Sequence, residues 1–139
     1  MLYGLYNHNI KSLIYIFMWL EIVKTIGDYI GDIIKSNKEK NLKISELMMD
    51  IHNLLNDVVI KLENDEYPHE SCGAMRVLTD NLHQKIKPSL KEKADYICNL
   101  LANASSLERE FALRKSTDII NELKSAAGEF KAFSLLLKS

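Results

Sequence analysis

The sequence predicts an all-α fold, an antiparallel helical bundle of four to five helices. Apolar residues recur three and four apart along most of the chain, no stretch alternates apolar with polar, and no Asn-Gly or Asp-Gly hairpin turn occurs. At 139 residues, with 47% apolar and 27% charged side chains, the chain has the size and composition of one globular domain. Two prolines and five glycines exclude collagen-like, proline-rich and glycine-rich classes.

The first helix is read from Trp19, with apolar residues at 19, 20, 22, 23, 26, 29, 30, 33 and 34. Gly27 and Gly31 lie inside this pattern. Each costs about 1 kcal/mol relative to alanine in a helix, so the pair predicts close packing against a neighbour. The same spacing marks a membrane dimer only within an apolar 20-mer, and here Asp28 and Asp32 stand beside the glycines. The polar stretch 35–41 ends the helix.

The second helix, 42–63, carries the stripe Ile44, Leu47, Met48, Ile51, Leu54, Leu55, Val58 and Leu62. Pro68 and Gly73 punctuate the chain after it. The third helix is expected over 71–86, capped by Ser71 and ended by Pro88. Ser89 and Glu92 then form an S-x-x-E capping box that opens the fourth helix, with Ala94, Ile97, Cys98, Leu100 and Leu101 apolar. Residues 103–106 read as a weak break, and 107–113 as a short helix or a continuation. Ser116 or Thr117 caps the last helix, which carries Ile119, Ile120, Leu123, Ala126, Ala127, Phe130, Phe133 and Leu137.

Residues 1–17 differ from the remainder: Lys11 is their one formal charge, and they hold three of the six tyrosines. The apolar run 13–20 is too short for a bilayer span, which needs about 20 residues, and no small-residue cleavage site follows it. Many of these residues have codons rich in A and T, as expected of non-coding sequence read as protein. Residues 1–17 are therefore expected to be an apolar extension outside the native protein or weakly ordered, and 18–139 the single helical-bundle domain.

Net charge is −1, divided as −3 over residues 1–69 and +2 over 70–139. Neither half has the basic excess of a nucleic-acid binder. Two cysteines make no disulfide framework. The four histidines, His8, His52, His69 and His83, fall in no H-E-x-x-H pattern, the di-iron pattern of Glu-x-x-His repeated on two helices is absent, and no phosphate-binding glycine motif occurs. No cofactor, no metal and no small-molecule ligand are expected; His52, beside Ile51, reads as a bundle-flank histidine.

Two groups of residues are candidates for a site. Cys72, His69 and Glu70 gather a thiol, an imidazole and a carboxylate between two helices, with Cys72 in the first turn of the third, where free N–H groups favour a thiolate. The competing reading is a linking loop in which Glu70 and Ser71 cap the helix and Cys72 is a small core residue. The second group is a speculative interaction surface of Phe130, Phe133, Leu136 and Leu137, which with Leu135 exceed the need of one helix face, together with Arg109 and Arg114. The reading favoured for the arginines by themselves is a solvated face in which Glu110 pairs with Arg114.

Excess apolar surface on the first and last helices, without a catalytic motif, points to a small non-enzymatic, cytoplasmic protein. It would act as a protein–protein interaction or regulatory module, binding a protein partner or a second copy of itself. The alternatives are a redox or hydrolytic site at Cys72, His69 and Glu70, and a small membrane-associated protein anchored by residues 2–23. Nucleic acid is not expected as a partner, and neither is a membrane.

Overall fold

The computed structural model describes residues 2–35, 37–106 and 117–139. They form five helices and no strand: α1 (Leu2–Ile34), α2 (Lys38–Glu63), α3 (His69–Leu90), α4 (Glu92–Ser106) and α5 (Thr117–Lys138). The helices close a ring in the order α1, α5, α2, α3, α4 and back to α1. Trp19, Tyr15 and Phe130 are the largest side chains fully buried inside it. Pairings run antiparallel where bonds fix them. Ser45 and His52 of α2 meet Ser134 and Ala127 of α5, so one numbering rises as the other falls. Glu21 and Tyr29 of α1 likewise meet Tyr96 and Lys93 of α4.

Side-chain amides set the first junction. Asn37 caps α2, accepting from the Lys40 N–H at 2.8 Å, and Asn41 Nδ2 donates to the Ile34 carbonyl at the end of α1, 2.9 Å away. These bonds start α2 at Lys38, four residues before the expected start at 42 and inside the stretch that reads as a polar break. At its other end the Glu66 N–H reaches the Lys61 carbonyl (2.8 Å) and the Asp65 N–H the Leu62 carbonyl (3.3 Å), with Asp65 at φ 60°. This is a Schellman turn with aspartate in the left-handed position usually held by glycine.

The third helix differs from the sequence expectation at both ends. It begins at His69, its cap residue is Pro68, and Ser71 is buried one turn in, so Ser71 is not the cap. It continues through Pro88 to Leu90. Proline removes the bond to the Gln84 carbonyl, a local loss in the last turn, and burial of Ile86 and Leu90 holds the chain helical across it. The helix ends instead at Lys91, at φ 52° and ψ −117°, whose N–H still bonds the Lys87 carbonyl. One residue therefore joins α3 to α4, with no capping box between them. Residues 103–106, which read as a weak break, are the last turn of α4. Residues 107–113 and Ser116 lie outside the described residues.

The α1 helix runs unbroken through Met18. Tyr15 is buried with its ring edge-to-face on Trp19, centroids 6.2 Å apart. Among the described residues no close approach of the kind expected at Gly27 and Gly31 is made. A Cβ at Gly27 would rest 3.9 Å from the Phe133 ring, an ordinary contact, and one at Gly31 would meet nothing within 4 Å.

The tightest helix pair is α2 on α5. Fully buried Ser45 and Ser134 each donate their hydroxyl to the other's backbone carbonyl, both at 2.8 Å. Both hydroxyl protons are used, so the 2.9 Å between the two oxygens is packing rather than a third bond. One turn of α5 earlier, Phe130 is buried edge-to-face with Phe133. Ser45→Ala and Ser134→Ala should each cost about 1 kcal/mol. The double variant should cost about the sum of the two, because each hydroxyl donates to a backbone carbonyl that the other substitution leaves in place. Urea unfolding followed by fluorescence of Trp19, the single tryptophan of the chain, measures both.

Candidate functional site

The residues of the first candidate group do not converge. Cys72 is 8% exposed, and its N–H bonds the Pro68 carbonyl at 3.0 Å. The amide expected to stabilise a thiolate is thus engaged in the helix. His69 is exposed and stacks on Tyr67, ring centroids 4.7 Å apart. Glu70 is exposed at the start of α3. Among the described residues no hydrogen bond joins Cys72 to His69 or Glu70.

The second group is corrected in part. Phe130, Phe133 and Leu137 are 0, 6 and 5% exposed and belong to the core, because α5 lies between α1 and α2 and buries residues toward both. Leu136 and its neighbour Leu135 remain on the surface, at 50 and 54%. Arg109 and Arg114 lie outside the described residues.

His52 sits on the flank of the bundle. Its Nδ1–H donates to the Ala127 carbonyl at 2.7 Å and its Nε2 accepts from Asn56 Nδ2 at 3.2 Å, the neutral tautomer that satisfies both nitrogens.

A polar cleft of about 490 Å³ between α3 and α4 is not evident in the sequence. The one-residue joint at Lys91 folds the two helices back on each other and brings Asp95 under His83 and Lys87. His83 Nε2–H donates to Asp95 Oδ1, and Lys87 Nζ donates to both Asp95 oxygens at 2.7 Å. The Lys87 and then the His83 hydrogen bonds hold the Asp95 carboxyl below the usual carboxylate range. Cys98, Thr79, Asp80, Asn99 and Ala102 complete the walls. Burial, then the charges of Asp95 and Asp80, push the Cys98 thiol up to about 12, so it stays protonated and is no nucleophile. Among the described residues no three His, Cys, Asp or Glu side chains converge as a metal site.

The most distinctive surface is on α1. Tyr15, Trp19, Ile22, Ile26 and Ile33 face the core. On the opposite side, at the alternating four-and-three spacing of a heptad seam, stand Leu13, Phe17, Leu20, Lys24, Gly27 and Gly31. Leu13, Phe17 and Leu20 are 65, 62 and 53% exposed, and Ile14 beside them 50%. They border a shallow apolar groove that also includes Ile16. Among the described residues no helix is long and apolar enough to cross a membrane.

No protein family matches the chain, and neither does any curated protein or solved structure.

Two measurements check the chemistry of the cleft. In a Cys72→Ser background Cys98 should react with a disulfide reagent far more slowly in the native protein than in guanidinium, since at pH 8 it holds about a thousandfold less thiolate than a free thiol. Asp95, whose pKa is lower folded than unfolded, adds stability that is complete above the unfolded value and is lost as pH falls below about 4. Asp95→Asn should flatten that acid limb in thermal unfolding followed from pH 3 to 7.

Proposed function

We propose that the protein is a non-enzymatic interaction module that docks a second α-helix against the outward side of α1. The observation that carries this reading is the exposed row Leu13, Ile14, Phe17 and Leu20 on a helix whose opposite side is already core. A helix in a monomeric bundle needs one apolar face; residues 13–20 of α1 present two. The outward residues keep a four-and-three spacing, which a partner helix reads knob into hole. Buried, unpaired Cys72 and Cys98 fit a reducing compartment, so the reading places the module in the cytoplasm.

Photo-crosslinking tests it. A benzophenone side chain in place of Phe17 should give a covalent adduct with a protein partner in cells, and the same group in place of exposed Lys131 on α5 should not. Absence of any protein adduct from position 17 would overturn the reading.

A further inference from the structure

The outward side of α1 is large over residues 13–20 and empty over 27–31. Leu13, Phe17 and Leu20 stand out from the first of these stretches, whereas Gly27 and Gly31 leave the second without side chains on the seam. Both glycines are exposed, and among the described residues neither is required by packing, since a Cβ at Gly31 meets nothing within 4 Å and one at Gly27 makes an ordinary 3.9 Å contact with the Phe133 ring. Glycine within a helix costs about 1 kcal/mol relative to alanine, so two of them four apart on an exposed seam need a reason outside the chain.

A second copy supplies it. Resting on the helix-docking reading above, we infer that the partner of α1 is the α1 of another molecule, paired antiparallel about a two-fold axis at the level of Ile22. In that register Phe17 of each copy lies over Gly27 of the other, and Leu13 over Gly31. Two of the three large residues of the seam, Leu13 and Phe17, then meet a position with no side chain, and each match occurs twice, as an isologous interface requires. Lys24 comes opposite Leu20 and Glu21 of the second copy, so two lysines and two glutamates surround the axis and their charges balance. The half-buried flank residues Ile16, Val23 and Ile30 line the same side of the seam. There Ile16 faces Ile30 of the second copy and Val23 faces Val23.

Parallel pairing lacks these matches. It sets Phe17 on Phe17, glycine on glycine and Lys24 against Lys24. The area is adequate for a dimer. The four exposed side chains present about 400 Å² per copy, half of the roughly 800 Å² each partner contributes to a standard interface. The seam backbone, the Lys24 stem and the flank residues contribute beyond that. A membrane surface fits less well. Interfacial helices line a broad apolar face with lysine and arginine, whereas residues 1–20 contain the single cation Lys11 and the exposed row is narrow.

The test uses the full chain. Light scattering after gel filtration should give twice the chain mass of 16.0 kDa at high micromolar concentration. Gly31→Leu fills the space for Leu13 while leaving the bundle untouched, so it should weaken dimerisation by about tenfold or more at unchanged helical content. Phe17→Cys mixed with Gly27→Cys should form a disulfide-linked dimer under mild oxidation, and neither variant alone should. A monomer at all concentrations, disulfide formation by Phe17→Cys alone, or undiminished dimerisation of Gly31→Leu would overturn the inference, as would a monomer that co-sediments with anionic vesicles. A photo-adduct at position 17 with a protein of different mass, joined to a monomeric chain in solution, overturns self-association and leaves the helix-docking reading standing.

Discussion

The reciprocal hydroxyl contact between Ser45 and Ser134 is the constraint on which the rest of the bundle depends. Two helices approach this closely only where side chains are short, and a buried hydroxyl is tolerated only where its proton has an acceptor. Each serine answers both demands for the other, using the spare lone pair of a carbonyl already engaged in its own helix. The pair fixes the register of α2 on α5. That register in turn places His52 over the Ala127 carbonyl and sets Phe130 and Phe133 toward the core. With α5 held there, α1 packs on its other side, and α3 and α4 close the ring.

The α3–α4 pair shows how backbone geometry brings together groups that look unrelated in sequence. His83 and Asp95 are twelve residues apart, with a proline between them. With the third helix read as ending near Ile86, they belong to separate elements with no defined spacing. Persistence of the helix through Pro88 and the left-handed φ of Lys91 turn them into neighbours. The histidine was visible in the sequence; its carboxylate and lysine partners were not, because the pairing rests on where a helix stops. Cys72 and His69 show the reverse. Three residues apart and chemically suited to each other, they are separated by their environments, one turned into the core and the other stacked on Tyr67 at the surface.

The same distinction governs the apolar residues. An excess of them on the first and last helices is legible as a count, but a count does not say which are spare. On α5 the excess is consumed, since a helix set between two neighbours buries Phe130, Phe133 and Leu137 and leaves Leu135 and Leu136 outside. On α1 it is not consumed, because the core takes the side that holds Trp19 and leaves Phe17 and Leu20 in solvent. The glycine pair is legible in the same limited way: spacing indicated a close neighbour, and among the described residues a Cβ at Gly27 meets the Phe133 ring at an ordinary 3.9 Å and one at Gly31 meets nothing within 4 Å.

By itself the sequence determined the helical class, a bundle of four to five helices, the stripe of α2 and most of the core. These follow from periodicity, which is local and survives in one dimension. Tertiary structure decided the ends of α3, the cleft around Asp95, the burial of the α5 phenylalanines and the bare outward side of α1. Each of these depends on which helix stands against which, and that is settled by contacts between residues distant in the chain, such as Ser45 with Ser134, whose pairing no local pattern encodes.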